Sequence, residues 1–383
     1  MKIAHIAPHY YPSIGGVEKV VKEICEELVK LGHDVSVITT KRLQKNQKKI
    51  HLKNYEIING VKVYRFFSLF SLGHMSFEPA ALLHFVLNNY DIVHMHSLRH
   101  PHTIYLPLIK IFKENVLVMQ GHTHFENGKF KTFLYRNFDN ILFKTLYKKI
   151  NCFLTLNSLE KNKLISFGID NSKIHTLYNP VNSYLFDELD CSSIDKKYKL
   201  SGKRIILFLG QAHRGKRIDL IIKAMQIILK ENKDVILIVA GPDFGNYPRL
   251  KEYAESLNVQ NNILFLGLIS EEDKKLFLHR CDILVLPSEY EAFGVVLAEA
   301  MAAGKPVIAT KTPGPLEIIQ HGYNGFLIEL DSYVELADYS LKLLNDNNLR
   351  EELGTNAKNF AFKNFKDSSI VSYLIEIYHN LAN

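Results

Sequence analysis

Two carboxylates flank a short loop in the second half of the chain, and their spacing suits the binding of a nucleotide-linked sugar. Glu291 and Glu299 lie between the apolar run Ile283–Leu286 and the end of the Ala-rich segment 295–303. The first run has the length of a buried strand, and the second is closed by a glycine and a proline as a helix is. The first amides of such a helix lack intrahelical partners and can bind phosphate. The two carboxylates would then accept hydrogen bonds from hydroxyls on either side of that phosphate.

Glu299 is the single charge in the segment 295–303. A glutamate is most often a solvated surface residue, and that interpretation remains the simplest for any isolated pair. A buried carboxylate, however, is seldom kept without a partner. The apolar surroundings of Glu299 therefore favour a binding role.

Length and composition indicate a globular protein of two domains. The chain has 383 residues, beyond the roughly 250–300 at which one core normally stops growing. No apolar run approaches the roughly 20 residues of a membrane span, and the N-terminus is better explained as a first strand than as a signal peptide. The four cysteines are far apart and show no C-x-x-C spacing, which predicts neither a zinc site nor disulfides and favours a cytoplasmic location.

The charge is unevenly distributed along the chain. Residues 1–183 hold 24 Lys and Arg against 13 Asp and Glu, a net +11, whereas the remainder holds 23 against 27, a net −4. Such a split favours an anionic partner for the first half, either a membrane surface, a nucleic acid or an acidic acceptor. The segment 129–149 interleaves aromatic and basic residues, so it could lie on an anionic membrane or pack as an ordinary amphipathic helix. The alternative is that the protein is generally Lys-rich and that its first half has no anionic partner.

The first half reads as a Rossmann-like unit. A strand over 3–7, a helix over 17–31 and a strand over 35–38 form a βαβ start, which requires a parallel sheet. The turn Asn59-Gly60 predicts a hairpin between two strands. The predicted strands and the later helix of this half are 55–58, 61–66, 92–95, 116–119 and 153–156, with the helix at about 130–149.

The second half repeats this order of elements. Strands are predicted over 205–209, 235–239, 263–265 and 283–286, with a helix starting at Asp219 and another capped by Ser270. The chain is therefore predicted to contain two α/β units, with the boundary near residues 179–182.

The motif around the two carboxylates resembles that of the retaining glycosyltransferases of the GT-B fold, family 4, which carry E-x-F-G-x-x-x-x-E. Glu291, Phe293, Gly294 and Glu299 fit it in full, and Gly314, Glu317, Asn324 and Gly325 also match. The resemblance implies two Rossmann-like parallel-sheet domains facing across a cleft. It implies that Glu291 contacts the donor sugar, that Val295 and Val296 offer amides to the diphosphate, and that Glu299 holds the ribose.

The resemblance also implies a division of labour between the domains. Residues 1–182 would form the acceptor-side domain and residues 183–365 the domain that binds the nucleotide sugar. A last helix, at about 366–383, would return to the first domain, a crossing that pattern alone does not show.

Two glycine-containing loops are candidate phosphate sites. Gly15 and Gly16 precede the first helix, where glycine allows close approach of a phosphate, although a plain turn explains such a pair equally well. In the family the matching loop faces the donor diphosphate.

The second such loop, 210–217, follows a strand and is basic. Lys216 is the expected diphosphate clamp, because a cation there stabilises charge on the leaving group. The chain departs from the family pattern here, with Gln211 in place of a common arginine and Arg217 in place of a common glycine. Arg214 or Arg217 could supply the missing charge.

Histidines supply the remaining candidates in the first half. His122 follows a strand, and the resemblance places it near the donor sugar, with Glu126 on the acceptor side. A structural role is the commoner one for such a histidine. His94, His96, His100 and His102 crowd one segment, but no H-x-x-x-H with carboxylates and no D-x-D accompanies them. We therefore predict no metal site and no cofactor besides the donor.

These observations predict a metal-independent retaining glycosyltransferase that moves a hexose from a UDP or GDP sugar to a glycan, glycolipid or lipid-linked acceptor. It would be cytoplasmic, with peripheral attachment to the membrane as an option, and would bind no nucleic acid. Three alternatives were weighed. A sugar-nucleotide epimerase or phosphorylase fits the two-glutamate motif less well, and an NAD-dependent dehydrogenase would need G-x-G-x-x-G after the first strand, where only Gly15-Gly16 stands. The third is a basic protein that binds nucleic acid or membrane without transferase activity.

Overall fold

The structure is a computed structural model of the chain. It describes residues 1–13, 15–42, 51–72, 75–97, 101, 107, 114–121 and 145–382. The chain divides into two compact units. The N-terminal unit comprises Met1–Pro180 and Asp367–Asn383, and the C-terminal unit comprises Val181–Lys366. The division falls two residues before the boundary expected from the sequence.

The N-terminal unit is built on a sheet whose order, within the described residues, is β10-β9-β8-β7-β1-β2-β4-β3. These strands pair in parallel except β3 with β4. The strands of this unit are β1 (Lys2–Ile6), β2 (Asp34–Thr40), β3 (Tyr55–Ile58), β4 (Val61–Phe66), the separate pair β5 (Phe70–Leu72) and β6 (Met75–Phe77), β7 (Ile92–Met95), β8 (Val116–Gln120), β9 (Cys152–Thr155) and β10 (Ile174–Thr176). Its helices include α1 (Gly16–Lys30), α2 (Pro79–Leu87) and α3 (Ser158–Ser166).

The predicted hairpin is present, because β3 and β4 pair antiparallel around Asn59 and Gly60. Both turn residues have positive φ, 48° and 84°. This is the backbone that a two-residue hairpin turn requires, and asparagine and glycine adopt it most readily.

The two faces of this sheet differ in chemistry. One face buries an apolar cluster that includes Ala4, Ile6, Val93 and Met95 together with Phe153. In parallel strands, paired residues share a face and alternate residues change face. The residues between those of the apolar cluster, among them His5 and His94, therefore point to the opposite face.

The C-terminal helix belongs to the N-terminal unit, although the chain reaches it only after completing the other one. This helix, Asp367–Ala382, packs against α1, and its buried side chains are Ile370, Val371, Leu374, Ile377 and Tyr378. The repeat of buried positions every three or four residues gives it one apolar face.

The C-terminal unit contains a six-stranded parallel sheet in the order β13-β12-β11-β14-β15-β16. Its strands are β11 (Arg204–Leu209), β12 (Val235–Ala240), β13 (Ile263–Gly267), β14 (Ile283–Leu286), β15 (Val307–Thr310) and β16 (Gly325–Ile328). Its helices are α4 (Ser192–Tyr198), α5 (Ile218–Glu231), α6 (Tyr247–Ser256), α7 (Glu271–Arg280), α8 (Val295–Ala302), α9 (Pro313–Ile318), α10 (Tyr333–Asn345) and α11 (Asn347–Phe365), and the C-terminal helix of the N-terminal unit is α12 (Asp367–Ala382).

This strand order defines where a ligand can bind. The chain winds outward from β11 through β12 to β13, then returns to the centre and winds the other way through β14, β15 and β16. Open α/β sheets bind ligands beyond the carboxyl ends of the strands where the winding reverses. In this unit that point lies between β11 and β14, the strands that lead into the two predicted loops.

The α/β class with two mostly parallel sheets is confirmed. Strand positions agree with the sequence predictions to within about two residues, and Ser270 caps α7 by accepting a hydrogen bond from the Asp273 amide at 3.0 Å. Most of the helix predicted over 130–149 lies outside the described residues, which begin again at Thr145 and form a short 3₁₀ turn over Tyr147–Lys149. Across the described ranges, no helix has the length and apolar character needed to cross a membrane.

Candidate functional site

The loops that follow β11 and β14 are held against each other by backbone contacts. The Glu289 amide donates to the Gly215 carbonyl at 2.8 Å, which joins the two loops. The loop after β12 also lies close to the loop after β11, because a Cβ on Gly241 would lie 1.9 Å from the Gly210 carbonyl oxygen. Gly241 also has a φ of +136°, so no other residue fits there without strain. The glycines thus bring the strand ends together at the switch point.

Lys216 and Glu291, predicted as diphosphate clamp and sugar contact, meet across this junction. The Lys216 ammonium donates a hydrogen bond to Glu291 Oε1, and the two side chains form an ion pair. Their exposed fractions are 20% and 13%, so the pair is accessible to solvent from one side. A partly exposed pair gains little from its own attraction, and each charge can exchange its partner for a ligand group. The structure therefore places a cation and a carboxylate together at the point where the winding of the sheet reverses.

The three cations of loop 210–217 have different surroundings. Arg217 opens α5 with a left-handed backbone (φ 49°) and is bound to Asp219 at 3.3 Å, to Asp331 and, at 3.8 Å, to Glu289. Arg214 is exposed and makes no side-chain hydrogen bond or ion pair with any residue that the structure describes. Lys216 and Arg214 are therefore better placed than Arg217 to take a new anionic ligand. Gln211 lies half-buried in the same loop.

Close packing fixes the loop that carries Glu291. The Phe293 side chain is 2% exposed and packs edge-to-face on Phe365, with ring centroids 5.5 Å apart. Gly314 lies directly against it, because a Cβ there would come within 2.6 Å of the Phe293 backbone, and the Gly314 amide donates to the Glu291 carbonyl at 2.8 Å. Phe293 thus anchors the loop, and its ring is not available to a ligand.

Gly294 turns the chain into α8. Its φ is +83°, and a Cβ there would lie 2.8 Å from a Leu297 methyl. Its carbonyl already accepts hydrogen bonds from the amides of Leu297 and Ala298, at 2.8 and 3.3 Å. Val295 and Val296 occupy the first two helical positions and are partly exposed. Amides at these positions have no acceptor within the helix, so they are oriented to bind an anion.

Glu299 lies one turn into α8 and is 1% exposed. Its carboxylate is paired with Lys274 of α7, with Nζ at 2.8 Å from both oxygens. The sequence pattern does not mark Lys274, because this residue lies in a charged helix, E-E-D-K-K, that has the pattern of a solvated surface. Only the packing of α7 beside α8 shows that this lysine compensates the buried carboxylate.

The candidates in the N-terminal unit are only partly described. Gly15 precedes α1 in an extended conformation (φ −174°) and Gly16 is its first residue. A Cβ on Gly16 would meet nothing within 4 Å among the described atoms, and its φ is not positive, so neither backbone nor packing requires glycine there. His122 and Glu126 lie outside the described residues.

Family models match both halves of the chain. The model described as Glycosyltransferase Family 4 covers residues 14–184, and the one described as Glycosyl transferases group 1 covers residues 192–360. The second match contains the loops after β11 and β14, and the first begins at residue 14, immediately before Gly15.

Individual proteins and structures resemble the chain over nearly its whole length. N-acetyl-alpha-D-glucosaminyl L-malate synthase of Bacillus anthracis is 27% identical over 380 residues, which cover 97% of this chain and 95% of the synthase. Sucrose-phosphate synthase of Thermosynechococcus elongatus superposes with a TM-score of 0.83 at 19% identity, covering 99% of this chain and 98% of that one. HepE of Anabaena, solved in complex with UDP and glucose, superposes with a TM-score of 0.79 at 20% identity, covering 99% and 100%.

Proposed function

Because this chain belongs to the GT-B glycosyltransferases of family 4, we propose that it transfers a hexosyl group from a nucleoside diphosphate sugar to a carbohydrate or lipid-linked acceptor. One observation carries the proposal. Lys216 and Glu291, 75 residues apart in sequence, meet at the strand ends where the winding of the sheet reverses. A cation for the diphosphate and a carboxylate for the sugar hydroxyls are the two groups that such a donor needs at one place.

The donor is proposed to bind by exchanging existing contacts for new ones. Its diphosphate would take the Lys216 ammonium, the exposed Arg214 and the first amides of α8, at Val295 and Val296. Glu291, relieved of its lysine, would accept hydrogen bonds from the sugar hydroxyls. Glu299 would accept from the ribose hydroxyls while Lys274 keeps its charge compensated.

The proposed reaction is substitution at the anomeric carbon with retention of configuration. The bond between that carbon and the diphosphate oxygen breaks, and a bond to an acceptor hydroxyl oxygen forms on the same face. The hydroxyl proton passes to the departing phosphate oxygen, so the products are a glycoside and a nucleoside diphosphate. Lys216 and the α8 amides would stabilise the charge that develops on the leaving group. We propose that these groups perform this role without a metal ion.

A UDP sugar is the donor we propose first, with a GDP sugar as the alternative. HepE, similar in fold, was solved with UDP and glucose, and the Bacillus anthracis relative is by name an N-acetyl-alpha-D-glucosaminyl L-malate synthase. We therefore include UDP-N-acetylglucosamine beside UDP-glucose among the candidates.

The acceptor is proposed to interact with the basic half of the chain. Residues 1–183 carry a net +11, which favours an anionic or membrane-borne acceptor over a neutral one. His122 near the donor sugar, Glu126 near the acceptor, and Gly15 with Gly16 on the diphosphate are retained as proposed roles. The four cysteines are free thiols, in keeping with a proposed cytoplasmic site of action at the inner face of a membrane.

Thermal stabilisation by candidate donors tests the proposal. UDP, GDP and ADP, each alone and as its glucose or N-acetylglucosamine derivative, are compared with NAD at equal concentration. A ligand that binds only the native state raises the melting temperature. We expect stabilisation by one nucleotide class, lost in Lys216→Ala. No stabilisation by any of them, combined with salt-sensitive binding to DNA or anionic vesicles, would overturn the proposal and favour a binding protein.

A further inference from the structure

Three histidines meet in the interior of the N-terminal unit. His5 of β1, His94 of β7 and His96 just beyond β7 are all at most 1% exposed. His5 and His94 are paired residues of neighbouring strands, and His96 follows two positions later on the same face. Each offers one ring nitrogen, and these nitrogens all lie within 4.8 Å of one another.

At least one buried polar atom of this cluster has no hydrogen-bond partner among the described residues. His5 Nδ1 is 2.9 Å from His96 Nε2, but His5 Nε2 is buried and has no hydrogen-bond partner in the described structure. A buried polar atom without a partner is destabilising, and a bound ion or water is one explanation for it.

A second buried polar side chain lies on the same face. Val118 of β8 pairs with His94, so Gln120, two residues further on, points to the face that carries His94 and His96. Gln120 is fully buried, and neither its amide nitrogen nor its amide oxygen has a hydrogen-bond partner within the described residues. Three neighbouring strands thus direct four polar side chains into a site that a hydrophobic core would fill with aliphatic groups.

We propose that His5, His94 and His96 bind a zinc-type divalent cation, with Gln120 beside the fourth position. Three imidazoles on one tetrahedral Zn²⁺ have their nitrogens about 3.3 Å apart and their ring centroids about 5 Å apart, given Zn–N bonds of about 2.0–2.1 Å. The centroids here are 4.9 Å apart for His5 and His94, 5.2 Å for His5 and His96, and 4.1 Å for His94 and His96. Small ring rotations bring these nitrogens to bonding distance. The Gln120 oxygen, or a water bound to it, completes the tetrahedron.

Tyr378 supplies an outer contact to this site. Its hydroxyl is 2.7 Å from His94 Nδ1, which leaves Nε2 as the His94 nitrogen that binds the cation. Hydrogen bonds to the second ring nitrogen orient metal-binding histidines and contribute to their affinity. Because Tyr378 belongs to α12, the cation would connect β1 and β7 to the C-terminal helix, and its role is structural. None of these residues is among those proposed above to bind the donor.

Metal binding by the untagged full chain tests the proposal directly. Protein is stripped with a chelator, unfolded and refolded with one equivalent of Co²⁺, because the buried site is best filled during folding. We expect the visible absorption of a tetrahedral Co²⁺ centre at a 1:1 ratio, displacement by Zn²⁺, and a higher melting temperature with Zn²⁺ than without.

Variants make the test specific to these residues. His5→Gln and His96→Gln should lose the Co²⁺ spectrum, and Tyr378→Phe, which keeps the ring and its packing, should weaken binding about 10–100-fold. His379→Gln changes an exposed histidine of the same unit and serves as the control that keeps full binding. Circular dichroism confirms that each variant is folded. A folded wild-type protein that binds no stoichiometric metal after refolding, or a His5→Gln variant that binds as tightly as wild type, would overturn the proposal.

Discussion

The two polar clusters of this protein are built in opposite ways. In the C-terminal unit, Lys216 with Glu291 and Lys274 with Glu299 are charged pairs beside the ends of strands, and three of the four side chains remain 13–20% exposed. In the N-terminal unit, His5, His94 and His96 lie within or just beyond strands and are at most 1% exposed. Water reaches the first cluster and is excluded from the second.

This difference indicates what each cluster can bind. A partly exposed ion pair contributes about 0–1 kcal/mol, so a ligand can take one partner at low cost. Lys216 with Glu291 is such a pair and suits a ligand that carries both negative charge and hydroxyl groups, whereas Lys274 compensates a buried carboxylate. Buried imidazoles are the preferred ligands of a borderline-soft cation. The proposed roles differ accordingly, with turnover assigned to the charged cluster and structure to the histidine cluster.

The largest effect is expected from breaking the first ion pair. Lys216→Ala and Glu291→Gln should each lower kcat about 10²–10³-fold, the cost of removing one group that stabilises developing charge or orients the reacting sugar. Neither side chain belongs to the apolar core, so the melting temperature should change little. Initial rates of nucleoside diphosphate release measure the effect. Lys311→Ala is the matched control, because Lys311 forms a comparable lysine–carboxylate pair with Glu329 in the same unit. Equal losses in the control and in Lys216→Ala would contradict the assignment.

Variants of the second ion pair, Lys274 with Glu299, should show donor affinity and folding stability as separate effects. Lys274→Met leaves the buried Glu299 carboxylate without its cation and should destabilise the C-terminal unit by about 3 kcal/mol. It should also raise the KM for the donor about tenfold or more, because Glu299 loses its fixed orientation. The double variant Lys274→Met/Glu299→Leu should recover most of the stability but not the affinity. Urea unfolding and donor titration are the two measurements, and a double variant that regains wild-type KM would exclude Glu299 from ribose binding.

Sequence alone predicted the first cluster better than the second, and the reason is physical. Glu291, Gly294 and Glu299 lie within nine residues, so one loop and one helix turn bring them together, and Phe293 and Gly314 only have to hold that loop in place. Linear spacing therefore contains most of the geometry. The cations come from other loops and helices, and the sequence left three candidates for the diphosphate.

The histidine cluster depends on contacts between distant segments. His94 and His96 stand close together in sequence, but His5 lies about 90 residues earlier and becomes their neighbour only because β1 and β7 pair in parallel. A metal-site motif defined by the spacing of residues in sequence cannot predict that strand pairing. Lys274 was missed for the same reason, since nothing in a charged helix marks the one lysine that faces a buried carboxylate. Eleven of the sixteen described strands were predicted, because hydrophobic runs are local, but β5, β6, β10, β15 and β16 were missed, and so were the partners across elements.

A smaller effect is expected from Gly16, which tests whether the N-terminal unit contributes backbone contacts to the donor. Gly16→Ala meets no steric obstacle and replaces a helical glycine, so stability should hold or increase by up to about 1 kcal/mol. If a phosphate approaches this backbone, the added methyl should still weaken donor binding about tenfold. Calorimetric titration with the nucleoside diphosphate measures the affinity, and the melting temperature measures the stability. Unchanged affinity would show that Gly15-Gly16 is a plain turn.

The last prediction concerns a buried carboxyl of the N-terminal unit that lies outside the histidine cluster. Glu160 is 2% exposed beside Met119, Phe153 and Leu164, and of the residues that the structure describes only Leu156 donates to its carboxyl, through its amide at 2.8 Å. Burial raises the pKa of its carboxyl from 4.5 to about 8. Between about pH 4.5 and pH 8, the Glu160 carboxyl is therefore protonated in the folded state and ionised in the unfolded state.

The stability linked to Glu160 is consequently full below about pH 4.5 and is lost as the pH rises towards 8. Between pH 5.5 and pH 8, wild-type protein should lose a few kcal/mol of unfolding free energy from this group. Glu160→Gln keeps an acceptor for the Leu156 amide but has no proton to lose, so this loss should vanish. Urea unfolding of both proteins at the two pH values measures it. A variant with the same pH dependence as wild type would mean that Glu160 is already ionised in the folded state, and that the interior of this unit tolerates charge as readily as the loops of the other.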